Sequence, residues 1–256
     1  MQPQANGSSS RRSRFYFLPN FITTLGLLSG FYAIIAAING LYWNSSAAIL
    51  LAGVFDGIDG RLARLTGTES KFGKEYDSLC DLISFGLAPA ILAYELCLRG
   101  YGRFGWLAAF LYVATTALRL ARFNCQSGSS SRSFIGLPCP AAAATIAASV
   151  LFFRFIDFSG RGKDLTLLLL VYALSYLMVS TFPYPSFKKF EHSGFRRFQQ
   201  LVGMVLLIVV IAAEPQVTLF LAGGTYLLSG PFLYLRHKLR QPAGQAEGSG
   251  AVTRKR

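Results

Sequence analysis

Asp56-Gly57-Ile58-Asp59-Gly60-Arg61-Leu62-Ala63-Arg64, then eight residues to Gly73, then Asp77 and Asp81, is the stretch that decides how this chain folds. Its four carboxylates fall in pairs spaced i,i+3 and i,i+4. On a helix either spacing puts both side chains on one face. The flanks are apolar, with AAILLAGVF before Asp56 and LISFGLAPAILAY after Asp81. Carboxylates beside apolar segments of membrane length are costly unless something compensates them. A divalent cation is the expected compensation, and an all-oxygen ligand set favours Mg²⁺ or Mn²⁺ over zinc.

The rest of the chain agrees with a membrane setting. Of its 256 residues 52% are hydrophobic and only 14% charged, and the mean hydropathy is +0.41. That profile excludes an ordinary soluble domain and predicts an all-α polytopic membrane protein. The net charge of +13 is therefore no sign of nucleic-acid binding, and no nucleic-acid partner is expected. Cys80, Cys97, Cys125 and Cys139 show neither CxxC nor Cys/His metal spacing, so no disulfide framework is expected. The apolar run after the basic start continues to spanning length without a small-residue cleavage site. It reads as a first membrane helix, not a cleaved signal.

In chain order, residues 1–15 read as a disordered basic segment, 16–240 as one transmembrane catalytic domain and 241–256 as a disordered basic tail. About eight transmembrane helices are expected. They cover residues 21–38, 45–65, 76–98, 105–123, 141–155, 165–182, 198–213 and 217–235. Pro19 is placed near the first turn of the first helix, and Pro89 predicts a kink in the third. With a cytoplasmic N-terminus, 20 of the 25 Lys and Arg residues fall on the cytoplasmic side. This bias supports an even number of spans, with both termini and the aspartates facing the cytoplasm.

The second and third helices are joined by a connection of about ten residues, so they should run antiparallel and bring the four aspartates together. Gly60 and Ala63 leave room for a ligand, and Arg61, Arg64, Lys71 and Lys74 surround the site with positive charge. Carboxylates, a metal and cations suit a pyrophosphate substrate, with one Asp deprotonating an attacking hydroxyl.

The pattern Asp56-x2-Asp59-Gly60-x2-Ala63-Arg64-x8-Gly73-x3-Asp77-x3-Asp81 resembles the complete signature of the CDP-alcohol phosphotransferases. The resemblance implies that family's fold, a pair of Mg²⁺ or Mn²⁺ ions on Asp56, Asp59, Asp77 and Asp81, and Asp81 as general base. It also implies that Gly60, Ala63, Arg64 and Gly73 lie against the CDP moiety, with Asn20 and Thr23 as further contacts. Leu18–Thr23, Asp81–Pro89, Arg119–Asn124, Phe134–Ala143, and Leu177–Ser180 with Tyr184–Lys188 resemble the integral-membrane phosphatidylserine synthase branch of the family, over about residues 16–190. That branch implies transfer of a phosphatidyl group from CDP-diacylglycerol to L-serine with release of CMP, in a homodimer surrounded by membrane lipids. Arg119 and Arg122 are candidates for binding the serine carboxylate or the lipid phosphate.

Plainer readings stand beside these. The aspartates could form a structural acidic patch. Arg119 and Arg122 could be positive-inside anchors, Asn20 and Thr23 helix caps, and Gly136-Leu137-Pro138-Cys139-Pro140 a helix-breaking entry. Other functions are a related transferase with a different acceptor (glycerol 3-phosphate, inositol phosphate or choline), a cation-coupled transporter, or a purely structural membrane protein. A transporter needs polar residues along a path across the bilayer, whereas these acids sit together at one end.

Overall fold

The computed structural model describes residues 9–67, 70–126, 136–157, 160–182 and 214–240. Among the described residues the chain is all helix. It comprises α1 (Ser9–Ile38), α2 (Tyr42–Thr66), α3 (Lys71–Asp81), a π-helical turn (Leu82–Leu87), α4 (Ala88–Leu96), a 3₁₀ turn (Leu98–Tyr101), α5 (Arg103–Gln126), α6 (Cys139–Phe155), α7 (Arg161–Val179) and α8 (Pro215–Arg240). Among the described residues, four segments are long and apolar enough to cross a membrane: Pro19–Ile38, Lys71–Leu96, Arg103–Cys125 and Gly162–Val179. The protein is thus an all-α polytopic membrane protein. The helix expected at 198–213 lies outside the described residues, as do Lys188, Lys189, His192, Arg196, Arg197 and the tail from residue 241.

The most buried helix is α6, and its composition explains why. Ala142, Ala143, Ala147 and Ala148 let neighbouring backbones approach closely, and all four are buried. α2, α4, α7 and α8 pack around it. The hydroxyls of α6 bond to their own helix, Thr145 to the Ala141 carbonyl (2.8 Å) and Ser149 to that of Thr145 (2.7 Å). This satisfies them without a polar neighbour. The entry to α6 matches the helix-breaking reading of Gly136–Pro140, with Pro138 as N-cap and Pro140 in the first turn. The Gly136 N–H donates to the Phe182 carbonyl (3.0 Å) and the Leu137 N–H to that of Leu177 (3.1 Å), which fixes the entry to the end of α7. Gly136 has φ +84, and a Cβ there would lie 2.6 Å from the Met178 carbonyl oxygen.

Several expected boundaries move. α1 begins at Ser9, so residues 9–15 continue the helix where disorder was expected, and Pro19 lies inside it. Arg11, Arg12 and Arg14 are good helix formers, and Pro19 removes a single backbone donor. α3 begins at Lys71, not near residue 76, because the Ser70 hydroxyl accepts the Gly73 N–H (2.9 Å) and caps the helix. α2 ends on left-handed Gly67 (φ 62°), so the connection runs only from Gly67 to Ser70. Just before Pro89, where a kink is expected, the helix has a π turn, and the Ala88 N–H donates five residues back to Ile83. Pro89 has no N–H to continue an ordinary ladder, and the wider turn accommodates that loss.

Candidate active site

α1 packs extensively on α2 and also lines α3, whereas α2 and α3 touch each other little among the described residues. The two aspartate helices are therefore not simple packed neighbours. They face each other across a recess whose third side is α1. The recess is lined by Thr23 and Gly26 of α1, Asp56 and Asp59 of α2, and Asp77 and Asp81 of α3.

One carboxylate oxygen each from Asp56, Asp59 and Asp77 lies within 4.8 Å of the others. The helical spacing explains this, since Asp56 and Asp59 share a face one turn apart and Asp77 meets them from the opposite wall. Asp81 lines the same recess one turn further along α3 but is outside that set. None of the four makes an ion pair among the described residues, where the single such pair is Arg99–Glu95. Asp59 is 4% exposed. Acids held together and buried in an apolar bundle need a counter-charge, and three converging oxygens suit a hard divalent cation. The interior measures about 10 Å³, space for a bare ion or a water but not for a nucleotide.

Thr23 lines the recess beside the carboxylates. It is 7% exposed, and its hydroxyl donates to Asp59 Oδ2 at 2.7 Å and to the Pro19 carbonyl at 3.1 Å. One hydroxyl hydrogen shared between two acceptors favours the shorter, charge-assisted bond. Thr23 thus orients Asp59. Thr23→Val keeps the shape and removes the donor. It should raise the metal concentration for half-maximal activity about 10–100-fold, with helicity by circular dichroism unchanged. An unchanged metal requirement would remove Thr23 from the site.

The other sequence candidates separate. A Cβ on Gly60 would meet only Arg64 Nη2, at 4.0 Å, and one on Gly57 nothing within 4 Å. This stretch of α2 is open to a ligand. Arg64 is exposed, and its field reaches Asp56. Ala63 is half-buried one turn beyond Gly60. Gly73 is tight instead, since a Cβ would lie 3.0 Å from Ser70 Oγ and 3.2 Å from Asn20 Oδ1. Asn20 therefore sits against the first turn of α3. Arg119 and Arg122 part company: Arg122 is exposed, while Arg119 turns inward. Arg119 Nη1 donates to Cys139 Sγ at 3.6 Å, its Nε is buried without a partner, and its field reaches Asp81.

Asn124 was not singled out by its sequence. Its Nδ2 donates to Glu75 Oε2 (3.1 Å) and Ser78 Oγ (3.0 Å), and its backbone carbonyl accepts from Lys74 Nζ at 3.4 Å. These bonds tie the end of α5 to the helix carrying Asp77 and Asp81. An Asn beside the arginine pair was the only available signal.

A bundle of apolar helices that encloses such a carboxylate recess near one end defines a membrane protein built around an acidic cluster able to hold a metal ion. The sequence model for CDP-alcohol phosphatidyltransferases matches residues 16–182, and this chain belongs to that family. A CDP-diacylglycerol–serine O-phosphatidyltransferase of Helicobacter pylori is 36% identical over 225 residues, covering 86% of this chain and 92% of the relative. An archaetidylserine synthase of Methanothermobacter thermautotrophicus is 38% identical over 173 residues, 67% of this chain and 70% of the relative. A CDP-diacylglycerol–serine O-phosphatidyltransferase of Mycobacterium leprae is 38% identical over 144 residues, 54% of this chain and 48% of the relative.

Proposed function

We propose that this chain transfers the phosphatidyl group of CDP-diacylglycerol to the hydroxyl of L-serine, giving phosphatidylserine and CMP. The observation that carries the reading is the convergence of Asp56, Asp59 and Asp77, together with serine-specific names among relatives that cover most of the chain. The catalytic unit is the transmembrane part, residues 16–240, in a cell membrane such as the bacterial inner membrane. Its aspartates and both termini face the cytoplasm, and it works as a homodimer.

Asp56, Asp59, Asp77 and Asp81 would hold two Mg²⁺ or Mn²⁺ ions. Bound there, the ions supply charge neutralisation for the pyrophosphate and the departing CMP. The chain's own groups do the rest. An oxygen of Asp81 accepts the proton of the serine hydroxyl. The serine oxygen bonds to the lipid-side phosphorus, the bond from that phosphorus to the bridging oxygen breaks, and CMP leaves with the electron pair. The CDP moiety lies over the open backbone at Gly57 and Gly60, with Arg64 beside it and Ala63, Gly73 and Asn20 framing the approach. Arg119 offers an inward-facing cation with a spare donor, suited to the planar serine carboxylate. Arg122, exposed, faces lipid phosphates.

The test is CMP release from CDP-diacylglycerol by purified protein in detergent, with and without L-serine, and with EDTA. Serine-dependent release that EDTA abolishes is the expected result. Release with glycerol 3-phosphate or inositol phosphate but not serine would keep the chemistry and replace the acceptor.

A further inference from the structure

The bundle has a second concavity at the end away from the aspartates. It forms where the start of α2, the end of α4, the end of α6 and the start of α7 meet, and it encloses about 230 Å³. Its walls are apolar, made by Leu96, Val150 and Phe153, and its mouth carries Trp43, Arg154, Asp157 and Lys163. Tyr42 closes one side, fixed by donation from its hydroxyl to the Glu95 carbonyl at 3.2 Å. On α2, Tyr42 lies 14 residues before Asp56, about 21 Å of helix. The cavity and the carboxylate recess are thus at opposite ends of the apolar bundle.

The charges at the mouth do not cancel. Arg154 and Lys163 make no ion pair among the described residues, whereas Arg99, at the end of α4, pairs with Glu95 at 3.5 Å. Among the residues that line the cavity, two cations stand against the carboxylate of Asp157, with Asp164 beside Lys163 but outside the lining, and this leaves one positive charge on the lining, the complement of one phosphodiester. Two cations at one apolar cavity call for an anionic ligand. Trp43, 41% exposed, supplies the amphipathic ring that favours headgroup depth. The space equals about seven waters of liquid. That accommodates a glycerophosphate unit, with the acyl chains outside along the helices.

We infer that this cavity binds an anionic phospholipid of the leaflet opposite the aspartates. Its phosphate sits between Arg154 and Lys163, and its glycerol backbone lies against Leu96 and Phe153. The site is separate from the lipid substrate's and requires only that the bundle spans a membrane.

Native mass spectrometry of the full chain, delipidated in detergent, tests this with phosphatidylglycerol, phosphatidylcholine and inorganic phosphate as probes. Wild type should retain phosphatidylglycerol in preference to phosphatidylcholine. The double variant Arg154→Gln/Lys163→Gln should weaken that retention roughly thirtyfold, the factor for two cations at a headgroup surface. Leu96→Trp, which fills the cavity and leaves the charges, should weaken it too. Unaltered CMP release by both variants in phosphatidylglycerol-free micelles would show that they fold. Equal retention of the two lipids by wild type, or wild-type retention by the folded double variant, would overturn the inference. So would inorganic phosphate alone displacing the bound phosphatidylglycerol.

Discussion

Asp81→Asn is expected to lower serine-dependent CMP release by about 10³-fold, the middle of the range for loss of a positioned general base. The substitution preserves size and one carbonyl oxygen and removes the carboxylate charge that would take the proton. Geometry sharpens the prediction. Asp56, Asp59 and Asp77 bring oxygens within 4.8 Å of one another, and Asp81 stands outside that set. A metal titration should therefore separate the aspartates. Asp59→Asn should raise the metal concentration for half-maximal activity steeply, because it removes a buried ligand that Thr23 holds in place. Asp81→Asn should lower the maximal rate far more than it moves that concentration. A folded Asp81→Asn protein that keeps more than about a tenth of the wild-type rate would show that the proton goes elsewhere.

Gly30→Ala, which adds a methyl against Ser84 of the recess and alters no carboxylate, should produce the second large effect. Gly30 on α1 faces the π turn, whereas Gly26 faces Phe55 and Ala52 of α2 and accepts the Ser84 hydroxyl at its carbonyl, 3.3 Å away. A methyl on Gly30 would lie 2.7 Å from Ser84 Cα and 2.8 Å from its Cβ. The obstacle is backbone, so no rotamer change relieves it. Overpacking of this kind costs about 1–3 kcal/mol and should lower the melting temperature in detergent. It should also reduce the rate about 10²-fold, since Ser84 lies three residues after Asp81 and a displacement near 1 Å is costly at a reacting centre. Adding Ser84→Ala should not rescue the variant, because the clash with the main chain remains. Full rescue would mean that only the hydroxyl was in the way.

The helices that cross the membrane were legible because apolar runs of spanning length admit few alternatives. The aspartate pairs were legible because helical spacing alone puts each pair on one face. What escaped depended on partners distant in sequence or on local backbone chemistry. The bond from Thr23 to Asp59 joins residues 36 positions apart, and no pattern within α1 announces it. The early start of α3 had a signal in Ser70, a good N-cap, but the polar residues around it read as loop. Pro89 was correctly a point of irregularity, though a proline does not say whether the chain bends or widens. The different orientations of Arg119 and Arg122 were not legible, because a three-residue offset puts both on one face of α5, and it is Cys139 on α6 that draws Arg119 inward.

The π turn carries a consequence of phase. A helix that bonds five residues back for one turn accommodates one residue more than an ordinary ladder, so everything before it is rotated relative to everything after it by roughly 100°. α4, beyond the turn, is locked into the bundle by Ala88, Leu92 and Ala93, all fully buried. α3, before it, presents Asp77 and Asp81 to α2. A continuous helix could meet only one of these demands, either sealing the apolar interior or aiming its acids at the recess. The extra residue uncouples the two, so the anchoring half can answer to lipid and neighbouring helices while the reactive half answers to its substrate.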